Sequence, residues 1–239
     1  MTERVEKTAA YIREKLAEST YYVKNPEAGA YRLEHTYRVA RIGAEIARQE
    51  GIDEEAMVIG CLLHDLAYSR EFVSREDWLN HGREGAAMAR PYLEKLGLAP
   101  QFVEEICYGI AIHVDDKADW EGERTPLALS IGDADNIDRF DVYRLFETLD
   151  NVGFRKMTLA EKKQYVSDTR KRLDQYVDFP FATAAATALW RERVEYYREF
   201  YRRLDDQLAA SVWGKTEDGC AAVPGQQAAD WALGLARQY

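Results

Sequence analysis

Four histidines and two aspartates are the residues of this sequence most able to bind a metal. They are His35, His64, Asp65, His81, His113 and Asp135. Imidazole and carboxylate together suit divalent transition metals such as Zn, Fe, Mn, Co and Ni. The sequence therefore predicts a metal site, provided that the fold brings these side chains together.

The His64-Asp65 doublet is the sharpest local feature, because it follows the uniformly apolar run 57–63. A helix that is apolar on all sides is normally buried inside a bundle. A buried carboxylate is costly unless it is paired or bound to a metal. No Lys or Arg lies within one turn before Asp65, and the nearest one after it is Arg70. The doublet alone leaves two interpretations open: a metal ligand pair, or a helix end that emerges into solvent.

Three of the remaining candidates lie on helical stripes that are otherwise largely apolar, whereas His81 stands at the predicted start of a helix. Helical bundles commonly build metal sites from core-facing side chains on several helices. Asp135 is preferred over Asp133 because positions two apart on a helix face different directions. The stripes are His35-Val39-Ile42-Ile46, Phe102-Ile106-Ile110-His113 and Leu127-Ile131-Asp135-Asp138.

Helical spacing with clear start and stop signals covers nearly the whole chain and predicts an all-α fold. Gly51 and Gly97 are typical helix ends, and Thr158 with Glu161 matches a capping box. We expect a helical domain over 1–212, with supporting helices in 141–212, followed by a linker and a C-terminal helix in 213–239. The expected helices are 2–19, 29–49, 54–67, 82–96, 100–113, 126–139, 141–150, 159–177, 181–211 and 226–238.

Composition narrows the function classes. The 239 residues carry a formal net charge of −10, which argues against binding duplex nucleic acid but not against small anionic substrates. Three cysteines without paired spacing do not form a disulfide framework and suggest a reducing cytoplasm. Neither a signal peptide nor a run of the ~20 apolar residues that a membrane helix needs is expected.

The order of these residues over about 30–140 resembles the HD-domain superfamily of metal-dependent phosphohydrolases, whose hallmark is a His, a His-Asp doublet and a distal Asp on an all-helical fold. The resemblance implies an HD-like bundle with additional C-terminal helices. It also implies that His35, His64, Asp65 and Asp135 bind a first metal. In binuclear members, His81 and His113 bind a second metal, and Asp65 bridges the pair. Many members carry Gly-Lys soon after the doublet, whereas this chain has 66–70 as Leu-Ala-Tyr-Ser-Arg.

The resemblance further implies hydrolysis of a phosphate ester or anhydride by metal-activated water, with one or two divalent ions (Fe, Mn, Zn, Ni or Co) and with His64 and Asp65 at the catalytic centre. A small phosphorylated substrate, by family analogy a nucleotide, is expected. The terminal helix would pack on its own chain or in a homodimer. Candidate substrate contacts are Arg38, Lys117, Asp138 and Arg139, with Arg70 and Arg124 as further phosphate-binding candidates.

Two other functions remain open for the same residues. One branch of the superfamily uses a mixed-valence di-iron pair on the same six ligands to activate oxygen, although His113 and Asp135 are close together in this sequence for that branch. A non-catalytic nucleotide-sensing module is the third reading, and loss of a ligand would be its signature. Every ligand position is filled here, and metal analysis of protein purified without chelator would separate the three.

Overall fold

The computed structural model describes residues 1–116 and 119–212, and this part of the chain is all α-helical, as predicted. None of the helices within it combines the length and the apolar character that a bilayer crossing requires. The predicted helix 226–238, Cys220 and Lys117 lie outside the described residues. The helices are α1 Glu3–Ala17, α2 Thr20–Lys24, α3 Pro26–Glu50, α4 Glu54–Leu63, α5 Arg75–Leu96, α6 Pro100–Ile112, α7 Pro126–Asp138, α8 Val142–Asn151, α9 Leu159–Tyr176 and α10 Ala184–Ala210, with 3-10 turns at Leu66–Ser69 and Phe154–Lys156.

The described residues form two compact units. Of the described residues, the first unit contains Met1–Asp138 and Phe181–Thr187, and the second contains Arg139–Pro180 and 188–212. In the first unit α4 is surrounded by α1, α3, α6 and α7. Its residues Met57, Ile59 and Leu63 are fully buried, which confirms that this apolar helix is the central one. The extent of the predicted 1–212 domain stays a prediction.

The second unit has an aromatic core on α10. Trp190, Tyr197 and Tyr201 are buried, as their helical spacing indicates. The rings of Trp190 and Tyr197 meet the ring of Phe140 edge-on at centroid distances of 4.7 and 5.0 Å. Ring contacts of this kind add stability beyond the apolar area that they bury.

The predicted helix 54–67 is too long, because α4 ends at Leu63 and a 3-10 turn follows at Leu66–Ser69. The ring of His64 accounts for this early end. Its Nδ1 donates to the carbonyl of Cys61 at 2.7 Å, so that a side chain uses a carbonyl that the next turn would need. His113 does the same to the carbonyl of Ile110, at 2.7 Å, directly after α6.

The predicted start of the 82–96 helix is wrong, because α5 begins at Arg75. The hydroxyl of Ser74 accepts from the backbone N–H of Asp77, and the Asp77 carboxylate accepts from the N–H of Ser74. This reciprocal cap satisfies two donors that a helix start leaves open. His81 therefore lies in the second turn of α5 and not before it. The short helix α2 was not predicted, and α3 begins at Pro26 and not at residue 29.

Close contact between α6 and α7 depends on Gly109. A Cβ at this position would fall on the backbone carbonyl oxygen of Ala128 and within 2.8 Å of Ile131. Gly109→Ala is therefore expected to destabilise the fold by about 1–3 kcal/mol, as overpacking does. Without this contact, the same change inside a helix would stabilise it by roughly 0.8–1.0 kcal/mol. Urea denaturation measures the change in unfolding free energy, and its sign decides between overpacking and helix propensity. A more stable variant would contradict the close packing.

Candidate metal centre

The first unit brings all six predicted ligands to one buried place. Each of its central helices contributes at least one of them, and the six are between 0% and 7% exposed. His64, Asp65 and His113 come directly after helices, where the backbone leaves the cylinder and the side chain can turn inward. The contributions are His35 from α3, His64 and Asp65 from the end of α4, His81 from α5, His113 from the end of α6, and Asp135 from α7.

Four of these residues form the first group of ligand atoms. The Nε2 of His35 lies 3.2 Å from Oδ1 of Asp135 and 3.3 Å from Nε2 of His64. The Nε2 of His64 lies 3.2 Å from Oδ2 of Asp65. An ion about 2.0–2.2 Å from each atom would hold neighbouring ligand atoms roughly 3–3.5 Å apart. The observed spacings therefore fit a single shared cation.

The second group uses the other oxygen of the same aspartate. The Nε2 atoms of His81 and His113 lie 3.4 and 3.6 Å from Oδ1 of Asp65, and 3.1 Å from each other. Asp65 thus presents Oδ2 to one imidazole pair and Oδ1 to the other. This is the arrangement that a bridging carboxylate requires.

Hydrogen bonds fix the tautomers of the histidines. The Nδ1 atoms of His64, His81 and His113 each donate to the backbone carbonyl three residues earlier, which accepts only. In their neutral form these three rings therefore carry the proton on Nδ1 and point an unprotonated Nε2 inward. Two such lone pairs facing each other at 3.1 Å, as in His81 and His113, repel unless a cation lies between them. The donor set fits a metal on this ground alone.

His35 is oriented by a carboxylate. Its Nδ1 donates to Oδ2 of Asp138 at 2.8 Å, while Arg38 donates to both oxygens of Asp138 at 2.8 and 3.2 Å. A carboxylate behind a ligand imidazole fixes the ring and raises its basicity. Burial lowers the pKa of His35, but its hydrogen bonds to Asp135, Asp138 and Asp65 outweigh this and raise the pKa well above the ordinary value.

Asp65 is held in its ionised form. Burial raises its pKa, but interactions with His64, the Arg32 guanidinium, His113 and His35 outweigh burial and bring the pKa well below the usual range. Arg32 forms an ion pair with Oδ2 of Asp65. Because of these neighbours, the Asp65 carboxylate is ionised and can bind a cation.

Arg32 is not indicated by the sequence around Asp65, where the nearest Lys or Arg is Arg70. The partner comes from α3, 33 residues away. One signal was available, because Arg32 precedes His35 by three positions and therefore lies on the same face of the helix. Arg32 also stacks on Tyr68, with the guanidinium carbon 3.6 Å from the ring centroid.

The described residues predicted to contact the substrate are not gathered at one place in the first unit. Arg38 and Asp138 are bonded to each other behind His35. Arg70 lies 3.6 Å from Glu84, and Arg124 pairs with Asp116 at 2.8 Å. Arg139 belongs to the second unit, and Lys117 lies outside the described residues. Their roles toward a substrate stay predictions.

Replacing Asp138 by asparagine is expected to weaken metal binding by about 10–100-fold, the usual effect of removing a partner of a ligand histidine. The amide removes the charge that polarises His35 and one acceptor of Arg38. Isothermal titration of the chelator-treated protein with Mn²⁺ or Zn²⁺ measures the change. Asp133→Asn is the matched control, because Asp133 lies on the same helix, accepts from the N–H of Ala182 and has its pKa raised to about 7 by burial. Equal affinity in the two variants would contradict the role of Asp138.

Comparison with known proteins supports the same reading of the fold. Residues 32–139 match the family model described as HD domain. A crystal structure of a predicted HD superfamily hydrolase from an uncultured Thermotogales bacterium matches with a TM-score of 0.55 and 21% identity, over 83% of this chain and 91% of that chain. At this identity the likeness concerns the fold. A search of curated protein sequences gives no match.

Proposed function

The chain belongs to the HD-domain superfamily through residues 32–139, and we therefore propose that it is a metal-dependent phosphohydrolase that cleaves a phosphate ester or anhydride. The observation that carries this proposal is the position of Asp65. Its two carboxylate oxygens face two different pairs of histidines at 3.2–3.6 Å. Two-metal hydrolytic sites hold their ions about 3.5–4 Å apart, a distance that one bridging carboxylate spans.

In this proposal the residues of the chain have distinct roles. His35, His64, Asp65 and Asp135 would hold one divalent ion, and His81, His113 and Asp65 a second. Bound there, the metal would supply a water nucleophile that is activated at neutral pH and positive charge for the phosphoryl oxygens. The carbonyls behind His64, His81 and His113 leave the Nε2 of each neutral ring free for this purpose, and the Asp138 carboxylate orients the ring of His35. The surrounding apolar residues of α4 exclude bulk water, which strengthens the electrostatic interactions inside.

A small phosphorylated molecule, by analogy with the family a nucleotide, is the substrate that we propose. The net charge of −10 disfavours long polyanions, whereas a local metal and Arg32 would attract a single phosphate group. We also propose a reducing cytoplasm as its location, where the buried Cys61 and Cys107 would remain thiols. A homodimer is a further expectation for the intact chain.

The test is metal analysis together with an activity screen. Protein purified without chelator is analysed by mass spectrometry for Fe, Mn, Co, Ni and Zn, and is assayed with p-nitrophenyl phosphate, bis-(p-nitrophenyl) phosphate and nucleoside monophosphates. Turnover that disappears with EDTA and returns with one of these metals supports the proposal. Two irons with oxygen consumption and no phosphate release would support the di-iron oxygenase alternative. Folded protein that binds no metal and turns over no ester would support a sensing module.

A further inference from the structure

A cavity of about 280 Å³ lies beside the metal centre, between α2, the start of α3 and residues 68–72. Of the eight described residues that line it, five are aromatic, two are arginines and none is a carboxylate. This lining differs from the surface of a chain that carries a net charge of −10. The lining favours a flat ring and an anion over a cation.

The aromatic walls of the cavity lie beside two of the proposed metal ligands, His35 and His81. The ring of Tyr31 is nearly parallel to that of His35, with a centroid distance of 6.3 Å and an angle of 6°. The rings of Tyr68 and Phe72 lie 5.0 and 6.2 Å from that of His81. A molecule in the cavity would therefore contact the side chains that pack on His35 and His81, and would reach Asp65 through Arg32.

Arg32 forms the boundary between the cavity and the centre. It lines the cavity, donates to Asp65 and packs flat on Tyr68. Its Nε is buried and has no hydrogen-bond partner among the described residues. A guanidinium with a spare Nε–H suits a phosphoryl oxygen, to which it can donate while it keeps its ion pair with Asp65.

We propose that this cavity binds the organic group of the substrate, that this group is a single planar aromatic ring system, and that Arg32 contacts the attached phosphoryl group. The assignment rests on the proposed phosphohydrolase function for its catalytic consequence, but ring binding can be measured without turnover. At about 280 Å³ the cavity is just below the usual volume of ligand pockets, about 300–1,000 Å³, so it accommodates one ring system and not an oligonucleotide. A nucleobase and a simpler aryl group share this chemistry.

The ring contact is tested with Phe72→Leu, which removes a ring and keeps an apolar side chain. The metal-loaded protein is assayed with adenosine 5′-monophosphate, p-nitrophenyl phosphate and the ringless glycerol 3-phosphate. Binding of adenosine and p-nitrophenol is measured separately by calorimetry. The variant should raise KM and Kd for the ring-bearing probes by about 10-fold, in line with base–aromatic stacking, and leave glycerol 3-phosphate and metal content unchanged. Phe146→Leu is the matched control, because Phe146 is 76% exposed on α8.

The outcomes separate the two proposals. Weaker adenosine or p-nitrophenol binding in Phe72→Leu, in a protein that hydrolyses no ester, would uphold the cavity and overturn the phosphohydrolase function. Turnover of all three esters with equal KM values, unaltered in Phe72→Leu, would uphold the function and overturn the cavity. A preference for adenosine over p-nitrophenol identifies a nucleobase, and the reverse identifies a simpler aryl group.

The phosphoryl contact is tested with Arg32→Lys, which keeps the charge beside Asp65 but loses the planar fork. Its KM for all three esters and its Kd for inorganic phosphate should rise about 10-fold, with metal content unchanged. Arg90→Lys is the control, since Arg90 pairs with Glu104 at the surface. Unchanged phosphate binding, or loss of metal in its place, would show that Arg32 serves only Asp65 and would overturn this part of the proposal.

Discussion

Replacing Asp65 by alanine is expected to remove the bound metal and to lower phosphate-ester turnover by about 10³-fold or more, since the metal supplies both the nucleophile and charge neutralisation. Within the described residues, its carboxylate lies within 3.6 Å of Nε2 of all four histidines. No other ligand can substitute for a group that faces both halves of the site. Inductively coupled plasma mass spectrometry and steady-state kinetics on the same preparation measure both effects.

A second variant guards against a folding artefact. Asp65→Ala leaves the buried guanidinium of Arg32 without its partner, which is destabilising in itself. Asp65→Asn keeps the shape and one acceptor for Arg32 but loses the bridging charge, so it should fold and still lack metal. Asp133→Asn, the control on α7, should behave as wild type. Activity at the wild-type level in both Asp65 variants would rule out this site.

Five of the six candidate ligands could be picked out from the sequence because each interrupts or follows an apolar run, whereas His81 was assigned only through the family resemblance. His35 and Asp135 interrupt apolar helical stripes, and the structure places both in the core. The choice of Asp135 over Asp133 followed from helix geometry together with the family resemblance. Asp135 lies beside His35, whereas Asp133 accepts from Ala182 on another face of α7. The all-α class followed from periodicity in the same way.

What could not be predicted depends on contacts between distant segments. The ion pair of Arg32 with Asp65 joins positions 33 apart, and no pattern near Asp65 encodes it. The early end of α4 results from the ring of His64, which reaches back to Cys61 only once its orientation in the folded site is set. The cavity depends on α2, a five-residue helix that is too short for periodicity to detect. Tertiary packing decides all three features.

Wild-type protein is expected to hold two metal ions per chain, and the two halves of the site should lose them separately. His113→Ala removes a ligand beside Oδ1 of Asp65, and Asp135→Asn removes one beside His35 and His64. Each variant should therefore retain about one equivalent and lose turnover by about 10²-fold or more, because each ion of such a pair stabilises a different oxygen of the displacement.

Combining the two changes leaves Asp65 intact but should reduce metal content to near zero, since neither half keeps its ligand set. The stoichiometries of the wild type and of the two single variants separate a true two-ion site from a single ion that all six residues share. With one shared ion, wild-type protein would bind one equivalent, and His113→Ala alone would weaken the same ion that Asp135→Asn weakens. Titration of the chelator-treated proteins with Mn²⁺, followed by mass spectrometry, counts the ions per chain and so distinguishes these results. Because Asp65 faces each half of the site with a different oxygen, we expect each single variant to lose one ion and keep the other.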